Sequence, residues 1–344
     1  MSSSKVILTG LRANNDLHLG NYFGALLPIV DLAKNHSDKF KIHLFVPDLH
    51  SFTTPIDHTK LQQQILLNLR LFVAAGLPLG NPNIFLYRQS FIPAHSELTM
   101  ILNCFASMGE LERMTQYKDK SSKISQDTIS AGLFDYPVLM ASDILLYHAN
   151  YVPVGDDQSQ HLEFIRNLAK RMNSKFGKIF TVPEPVEKQH ALFGKDHGLR
   201  IMDLQKPDNK MSKSGQTDKG GIFLTDKPED AYKKIMGATT DNFGEVKYDR
   251  ANQPGISNLL QIYALLSGQT LQKTIDQFSG AKNYSEFKKQ IADLTKIFLV
   301  EFQNRFDNVD TNNILRKTTE DEKHMALIAN RTLSEVQKAI GLRN

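Results

Sequence analysis

The sequence predicts an α/β protein: a parallel sheet with helices on both faces, followed by an all-helical C-terminal domain. Three observations predict it. Short apolar runs of strand length alternate with amphipathic helical stretches through the N-terminal part, the pattern of a parallel sheet covered on both sides. Beyond Gly221 only helical periodicity remains. At 344 residues the chain exceeds the size at which one core usually stops growing, and its composition shifts near 215–225.

The first strand is Val6-Ile7-Leu8, within Lys5–Leu27 (KVILTGLRANNDLHLGNYFGALL). The chain then turns through Gly10 and a polar segment into a helix that starts near His18. Such a turn leaves backbone N–H groups free at a helix end carrying roughly half a positive charge, a ready site for a phosphate. Gly20 and Gly24 lack a Cβ and allow close approach, and His18 and Asn21, three apart, share one side of the first turn. The second strand, Lys41–Val46, ends in Pro47-Asp48-Leu49-His50. Thr59–Ala74 follows as a helix with Leu61, Ile65, Leu69 and Phe72 on its apolar face, then a strand at Ile84–Tyr87 and a helix at Ser96–Phe105. Ligands of parallel sheets bind outside the C-terminal strand ends, where His18 and His50 are both expected.

Gly109–Asp119 (GELERMTQYKD) reads as a charged helix, and the lysine- and serine-rich Lys118–Asp127 as a mobile loop. Asp135–Tyr147 (DYPVLMASDILLY) reads as a helix with Pro137 in its first turn. Tyr136, Met140 and Asp143 share a face there. Asp143 stands among Met140, Ile144, Leu145 and Leu146, and a carboxylate in that company is costly without a partner. A donor from the protein or one from a substrate would satisfy it. Tyr151–Val154 reads as a strand, then Gly155-Asp156-Asp157-Gln158 leads into a helix running to about Met172. That turn suits a ribose, with Asp156 or Asp157 accepting from its hydroxyls, and equally suits a helix cap. Residues 183–198 read as loop and Arg200–Leu204 as a short strand. Lys210-Met211-Ser212-Lys213-Ser214 places two lysines and two hydroxyls on a short loop, suited to a leaving pyrophosphate or simply to water. Helices are expected at Pro228–Met236, Ile256–Leu266, Ser285–Phe302 and Thr318–Ile340.

The formal charge of +4 permits a nucleic-acid partner without requiring one. The single cysteine, Cys104, excludes an internal disulfide and reads as a buried small residue on a helix in a reducing compartment. No apolar run approaches the length needed to span a bilayer, and Met-Ser-Ser-Ser-Lys lacks an apolar signal region, so a cytoplasmic protein with no membrane partner is expected.

The string His-Leu-Gly-Asn is similar to the nucleotide-binding signature of class I aminoacyl-tRNA synthetases, whose full form ends in a second histidine. Together with GELERMTQYKDKS, DYPVLMASDILLY, VGDDQSQH and KMSKS in that order, it makes the chain resemble the bacterial-type tryptophanyl-tRNA synthetases from about residue 5 to about residue 268. The resemblance implies a Rossmann-like catalytic domain over 1–215, ending in the KMSKS loop 210–214. It implies a region at about 105–135 that forms the homodimer surface and carries a loop closing over ATP, where Lys118 or Lys120 would reach a phosphate. It also implies a helical domain over 216–344 that reads the anticodon of tRNA(Trp).

The implied reaction uses ATP with Mg²⁺, carried by the nucleotide and not by protein side chains, to convert L-tryptophan to its adenylate before transfer to tRNA. The implied catalytic residues are His18, Asn21, Lys210 and Lys213. ATP contacts carry over to Arg12, Ala13, Asn14, His18, Gly20, Asn21, Gly155, Asp156, Asp157, Ile201, Lys210, Met211, Ser212, Lys213 and Ser214. Tryptophan contacts carry over to Leu8, His50, Tyr136, Met140, Asp143 and Gln158: Asp143 accepts from the indole N–H, Tyr136 and Gln158 hold the amino group, and Met140 packs on the ring. One departure stands out. The chain has Arg12-Ala13-Asn14-Asn15 where the family usually carries Gln-Pro-Ser/Thr-Gly, so a cation replaces a neutral amide and the ATP contact there is expected to be altered electrostatically. The rivals are a tyrosyl-tRNA synthetase, a small-molecule nucleotidyltransferase with the same turn, and an inactive RNA-binding relative. The intact KMSKS argues against the last.

Overall fold

The computed structural model describes residues 4–12, 17–53, 56–122, 129–155, 158–193, 201–211 and 219–344. In chain order the elements are β1 (Lys5–Gly10), α1 (Leu19–Asn21), a π-helical turn (Tyr22–Leu26), α2 (Leu27–His36), β2 (Phe40–Val46), α3 (Leu61–Ala74), β3 (Ile84–Arg88), α4 (Ala94–Asn103), α5 (Met108–Glu112), α6 (Thr115–Ser121), α7 (Ala131–Leu145), α8 (Ser159–Phe176), α9 (Val186–Phe193), α10 (Pro228–Met236), α11 (Pro254–Ser267), α12 (Leu271–Phe278), α13 (Tyr284–Asp307) and α14 (Thr311–Ala339). Two compact units result. One comprises Met1–Asn14, Ile29–His197 and Asp310–Asn344, and the other Asn15–Pro28 and Gly198–Val309.

The first unit holds the sheet, parallel and ordered β1-β2-β3, with Ile7 opposite Ile42 and Ile42 opposite Ile84. Leu8, Phe45 and Tyr87 enter one core with side chains of α4, α7, α8 and α14, while Ile42 and Leu44 point to the opposite face, on the side of α3. The expected strand at Tyr151–Val154 shrinks to a single parallel bridge between Ile7 and Tyr151 on the free side of β1.

The other edge of the sheet is closed by α14. Asp321 Oδ2 accepts from the Leu86 N–H at 2.7 Å, Glu322 Oε1 accepts from the Arg88 N–H at 3.2 Å, and Lys317 Nζ donates to the Ile84 carbonyl at 3.0 Å. Three side chains of one helix thus satisfy the backbone of an edge strand that would otherwise offer unpaired groups to another chain. The compact units therefore do not divide at 215–216. The last helix belongs with the sheet, because Met325, Ala329, Leu333 and Val336 bury against its core.

Other expectations shift for local reasons. α7 starts at Ala131, capped by Ser130, so Pro137 lies inside the helix and leaves the Leu133 carbonyl without its usual donor. The stretch expected as loop at 183–198 contains α9, tied down by buried Gln189, which accepts from the Val152 N–H and donates to the Glu184 carbonyl. The expected charged helix 109–119 is split into α5 and α6, and Lys118 belongs to α6; residues 123–128 lie outside the described residues. Met202 makes one bridge to Lys210 and no longer strand. Cys104 is exposed, at the end of α4. Among the described residues no helix is long and apolar enough to cross a membrane.

His43 on β2 is buried, and among the described residues neither ring nitrogen has a hydrogen-bond partner. Its ring meets Phe85 and Tyr147 edge-on at 5.4 and 5.5 Å. Burial, helped by Lys41 and His324, pushes it down to about 3 from 6.5. The folded protein thus binds fewer protons here than the unfolded chain once the pH falls below 6.5, so stability is lost on acidification. His43→Phe is expected to reduce the loss between pH 7 and pH 5 by about 2 kcal/mol, read from urea titrations. An unchanged pH slope contradicts this.

The second unit is helical. Tyr22 packs edge-on against Phe298 and Phe302 of α13, and Gln303 donates to the carbonyls of Leu224 and Asp226. Lys288 Nζ donates to the Ala238 carbonyl at 2.7 Å, a cation just beyond the C-terminus of α10.

Candidate active site

Asp143 is 1% exposed and its carboxylate lies in a polar cluster inside the first unit. Oδ1 accepts from Gln89 Nε2 at 2.6 Å and from His95 Nδ1 at 2.6 Å, and Oδ2 accepts from His50 Nε2 at 2.8 Å. His95 Nε2 accepts from the Tyr147 hydroxyl at 2.8 Å, which fixes the imidazole proton on Nδ1, facing the acid. Burial works against ionisation of Asp143, but the donors of His50 and His95 outweigh it and hold the carboxyl down to about 2. The open question of what satisfies Asp143 has an answer: protein donors occupy three of its roughly four acceptor places. Among the described residues Oδ2 has one donor, so one place remains.

Two of these donors escaped sequence reading. Gln89 stands one residue past the C-terminal end of β3, the position that singled out His50 after β2, so the same rule finds it. His95 lies in the first turn of α4 and bears no local mark of its role, because its partner lies in the last turn of a helix far along the chain. Leu8 is buried on β1, and Met140 is half-buried beside Asp143's core. Tyr136 shares its hydroxyl with His161 Nε2 at 2.8 Å. Gln158 stands at the N-terminus of α8, its N–H on the Gly155 carbonyl. Asp156 and Asp157 lie outside the described residues.

Arg12 is turned toward the loop after β2. Its Nη2 donates to the His50 carbonyl at 2.7 Å and to Thr53 Oγ1 at 2.6 Å. Burial lowers the guanidinium's pKa, with nearby Tyr136 opposing. Ala13 and Asn14 lie outside the described residues.

The second unit carries His18, Asn21, Gly20, Ile201, Lys210 and Met211; Ser212, Lys213 and Ser214 lie outside the described residues. His18 and His50 thus belong to different units. His18 is the N-cap of α1: its Nδ1 accepts from the Asn21 N–H at 3.3 Å, and Asn21 Oδ1 accepts from the His18 N–H at 3.2 Å. With Nδ1 as acceptor, the ring proton sits on Nε2. The segment is held by an antiparallel bridge from His18 to Phe223, whose ring also meets the imidazole edge-on at 6.2 Å. A Cβ on Gly20 would stand 3.0 Å from His18 Cε1 and Nδ1, so this position must be glycine for the ring to hold its place. Burial, with the Lys210 cation adding to it, pushes His18 down to about 4, so it is neutral near pH 7. The π-turn follows directly, a feature frequent at functional sites. Ile201 and Met211 are buried and joined by a backbone bond of 3.0 Å, and Lys210, just before Met211, is exposed.

One unit thus offers a neutral N–H donor and a lysine beside a helix N-terminus, and the other a buried ionised acid with one acceptor place. Residues 3–300 match the family described as tRNA synthetases class I (W and Y), and the chain belongs to it. Among its relatives, the tryptophan–tRNA ligase of Malacoplasma penetrans is 41% identical over 343 residues, 98% of each chain. The crystal structure of tryptophanyl-tRNA synthetase from Mycoplasma pneumoniae matches with a TM-score of 0.83 at 33% identity, over 99% of this chain and 98% of that one. The enzyme from Campylobacter jejuni, complexed with ADP and tryptophan, matches at 0.77 and 30%, over 97% and 99%.

Proposed function

We propose that the chain activates L-tryptophan with ATP and transfers it to the terminal ribose of tRNA(Trp). The observation that carries the choice of amino acid is Asp143, ionised, buried, and with one acceptor place left on Oδ2. An indole N–H fills that place. Phenylalanine leaves it empty, and a site built to bond a substrate N–H rejects the analogue lacking it by roughly 10⁴–10⁵. Tyr136 and Gln158 take the ammonium group, Met140 and Leu8 the ring, and Gly155 backs the ribose of the nucleotide.

In the first step a carboxylate oxygen of tryptophan attacks the α-phosphorus, the bond to the β-phosphate oxygen breaks, and its electron pair leaves with pyrophosphate. The nucleophile is already ionised, so no base is required. Catalysis is positioning together with neutralisation of charge on the departing group. His18 Nε2–H and the Asn21 side-chain amide donate to the phosphates, and Lys210 and Lys213 meet the pyrophosphate. Mg²⁺ enters with the triphosphate. In the second step a ribose hydroxyl of the tRNA attacks the activated carbonyl and AMP leaves. The helices α10–α13 serve the anticodon loop, whose unpaired bases are accessible. A homodimer in the cytoplasm completes the reading, with exposed Met100 and Met108, at the end of α4 and the start of α5, as part of its contact.

Exchange of labelled pyrophosphate into ATP, run with tryptophan, tyrosine and phenylalanine separately, tests the assignment. Exchange is expected with tryptophan alone. Exchange with tyrosine in its place moves the specificity, and exchange with none refutes the activity.

A further inference from the structure

We infer that Arg12 is a positioning residue for the amino-acid side of the site, locking the turn that carries His50. The inference rests on the proposed pairing of the indole N–H with Asp143. Nη2 of a guanidinium has two hydrogens, and here both are spent, on the His50 carbonyl at 2.7 Å and on Thr53 Oγ1 at 2.6 Å. Thr53 Oγ1 in turn donates to the His50 carbonyl at 2.9 Å. The three groups close a ring across the short helical turn Leu49–Thr53. Arg12 is itself anchored: Nδ2 of buried Asn68 donates to the Arg12 carbonyl at 2.7 Å and to the Leu11 carbonyl at 3.1 Å.

That turn is the template for the carboxylate. Its start is tied through the Leu49 N–H to Gln89 Oε1 at 3.1 Å, and Gln89 donates to Asp143 Oδ1. His50 donates to Asp143 Oδ2, the oxygen with the open acceptor place. Movement of the His50 backbone therefore re-aims the very atom that meets the substrate. Arg12 and Thr53 hold the far end of the turn, and a charge-assisted donor makes that hold stronger than an amide would. A glutamine at position 12 ends two bonds short of this nitrogen and leaves the His50 carbonyl with Thr53 alone.

The chain contains no tryptophan, so binding of the amino acid without ATP is followed by the ligand's own fluorescence. Arg12→Gln is expected to weaken it about tenfold or more, the loss of a hydrogen bond from a charged group, while KM for ATP in pyrophosphate exchange stays within about a factor of two. Thr53→Val moves the same constant, and Thr53→Ser, which keeps the hydroxyl, restores it. The double variant Arg12→Gln/Thr53→Val is expected to be no worse than its weaker parent, because both changes break one ring. A raised KM for ATP with unchanged tryptophan binding overturns the inference. If Arg12→Gln fails to fold, the Thr53 pair decides alone: equal binding by the Val and Ser variants overturns it. Asp143→Asn separates the underlying reading: if that variant binds tryptophan normally, the indole assignment falls, whereas weakening by Asp143→Asn but not by Arg12→Gln sinks only the role of Arg12.

Discussion

Asp143→Ala is expected to abolish measurable tryptophan binding and to lower kcat/KM for activation on the order of 10³-fold or more, with loss of stability. The size follows from what is left behind. Gln89, His50 and His95 would each aim a donor into a space 1% exposed, with nothing to receive it. Removing one partner from a buried charged cluster costs about 3–5 kcal/mol. Asp143→Asn separates binding from folding. The retained oxygen still serves Gln89 and His95, and the new amide faces His50, which can adopt the other tautomer and accept. The amide's second hydrogen then opposes the indole N–H, donor against donor. This variant is expected to melt close to the parent and to lose tryptophan binding by on the order of 10²-fold, measured by ligand fluorescence. The acid is held at about 2, below its ordinary 3.8, so its contribution to stability is complete above pH 3.8 and is lost as the pH falls through about 2. Tryptophan affinity should accordingly show no titration of Asp143 between pH 5 and pH 8.

The three strands were legible because parallel strands buried on both faces read as continuous apolar runs, and their ends fall within two residues of expectation. α10 was legible to the residue, with Pro228 at its start and Gly237 just after its end. α14 shows where periodicity stops informing. Lys317, Asp321 and Glu322 look like a solvated helix face, yet they bond to the edge of β3, a partner more than two hundred residues away. The same holds for Asp143. Its need for partners was readable from its apolar neighbours, but which partners was not, since Gln89 meets it from the turn after β3 and His95 through the packing of α4 against α7. Arg12 was readable as a departure, but its bonds to the His50 carbonyl and Thr53 were not, because a side chain's direction out of a turn is decided by the groups it meets.

His18→Asn is expected to slow activation by about 10²–10³-fold while leaving tryptophan binding intact. That is the loss typical of one preorganised donor to developing charge. The reasoning starts from the cap. The Asn21 N–H occupies Nδ1, so the imidazole has one donor to offer, Nε2–H, and the ring cannot rotate away without breaking the first turn of α1. Asparagine can take over the cap, which would otherwise cost about 1 kcal/mol, but its side chain ends short of the position of Nε2. The variant therefore reports chemistry and not folding. Gly20→Ala is expected to act in the same direction, because its Cβ would press on the imidazole at 3.0 Å. The pH profile gives an independent check. With His18 pushed down to about 4 by burial and by Lys210, the activation rate should be flat in this group from pH 6 to pH 8. Protonation nearer pH 4 would place a hydrogen on Nδ1, against the Asn21 N–H, and release the cap. Single-turnover measurement of adenylate formation is the readout, and a loss of rate as the pH rises through about 6.5, absent in His18→Asn, would show that the imidazole works as a cation after all.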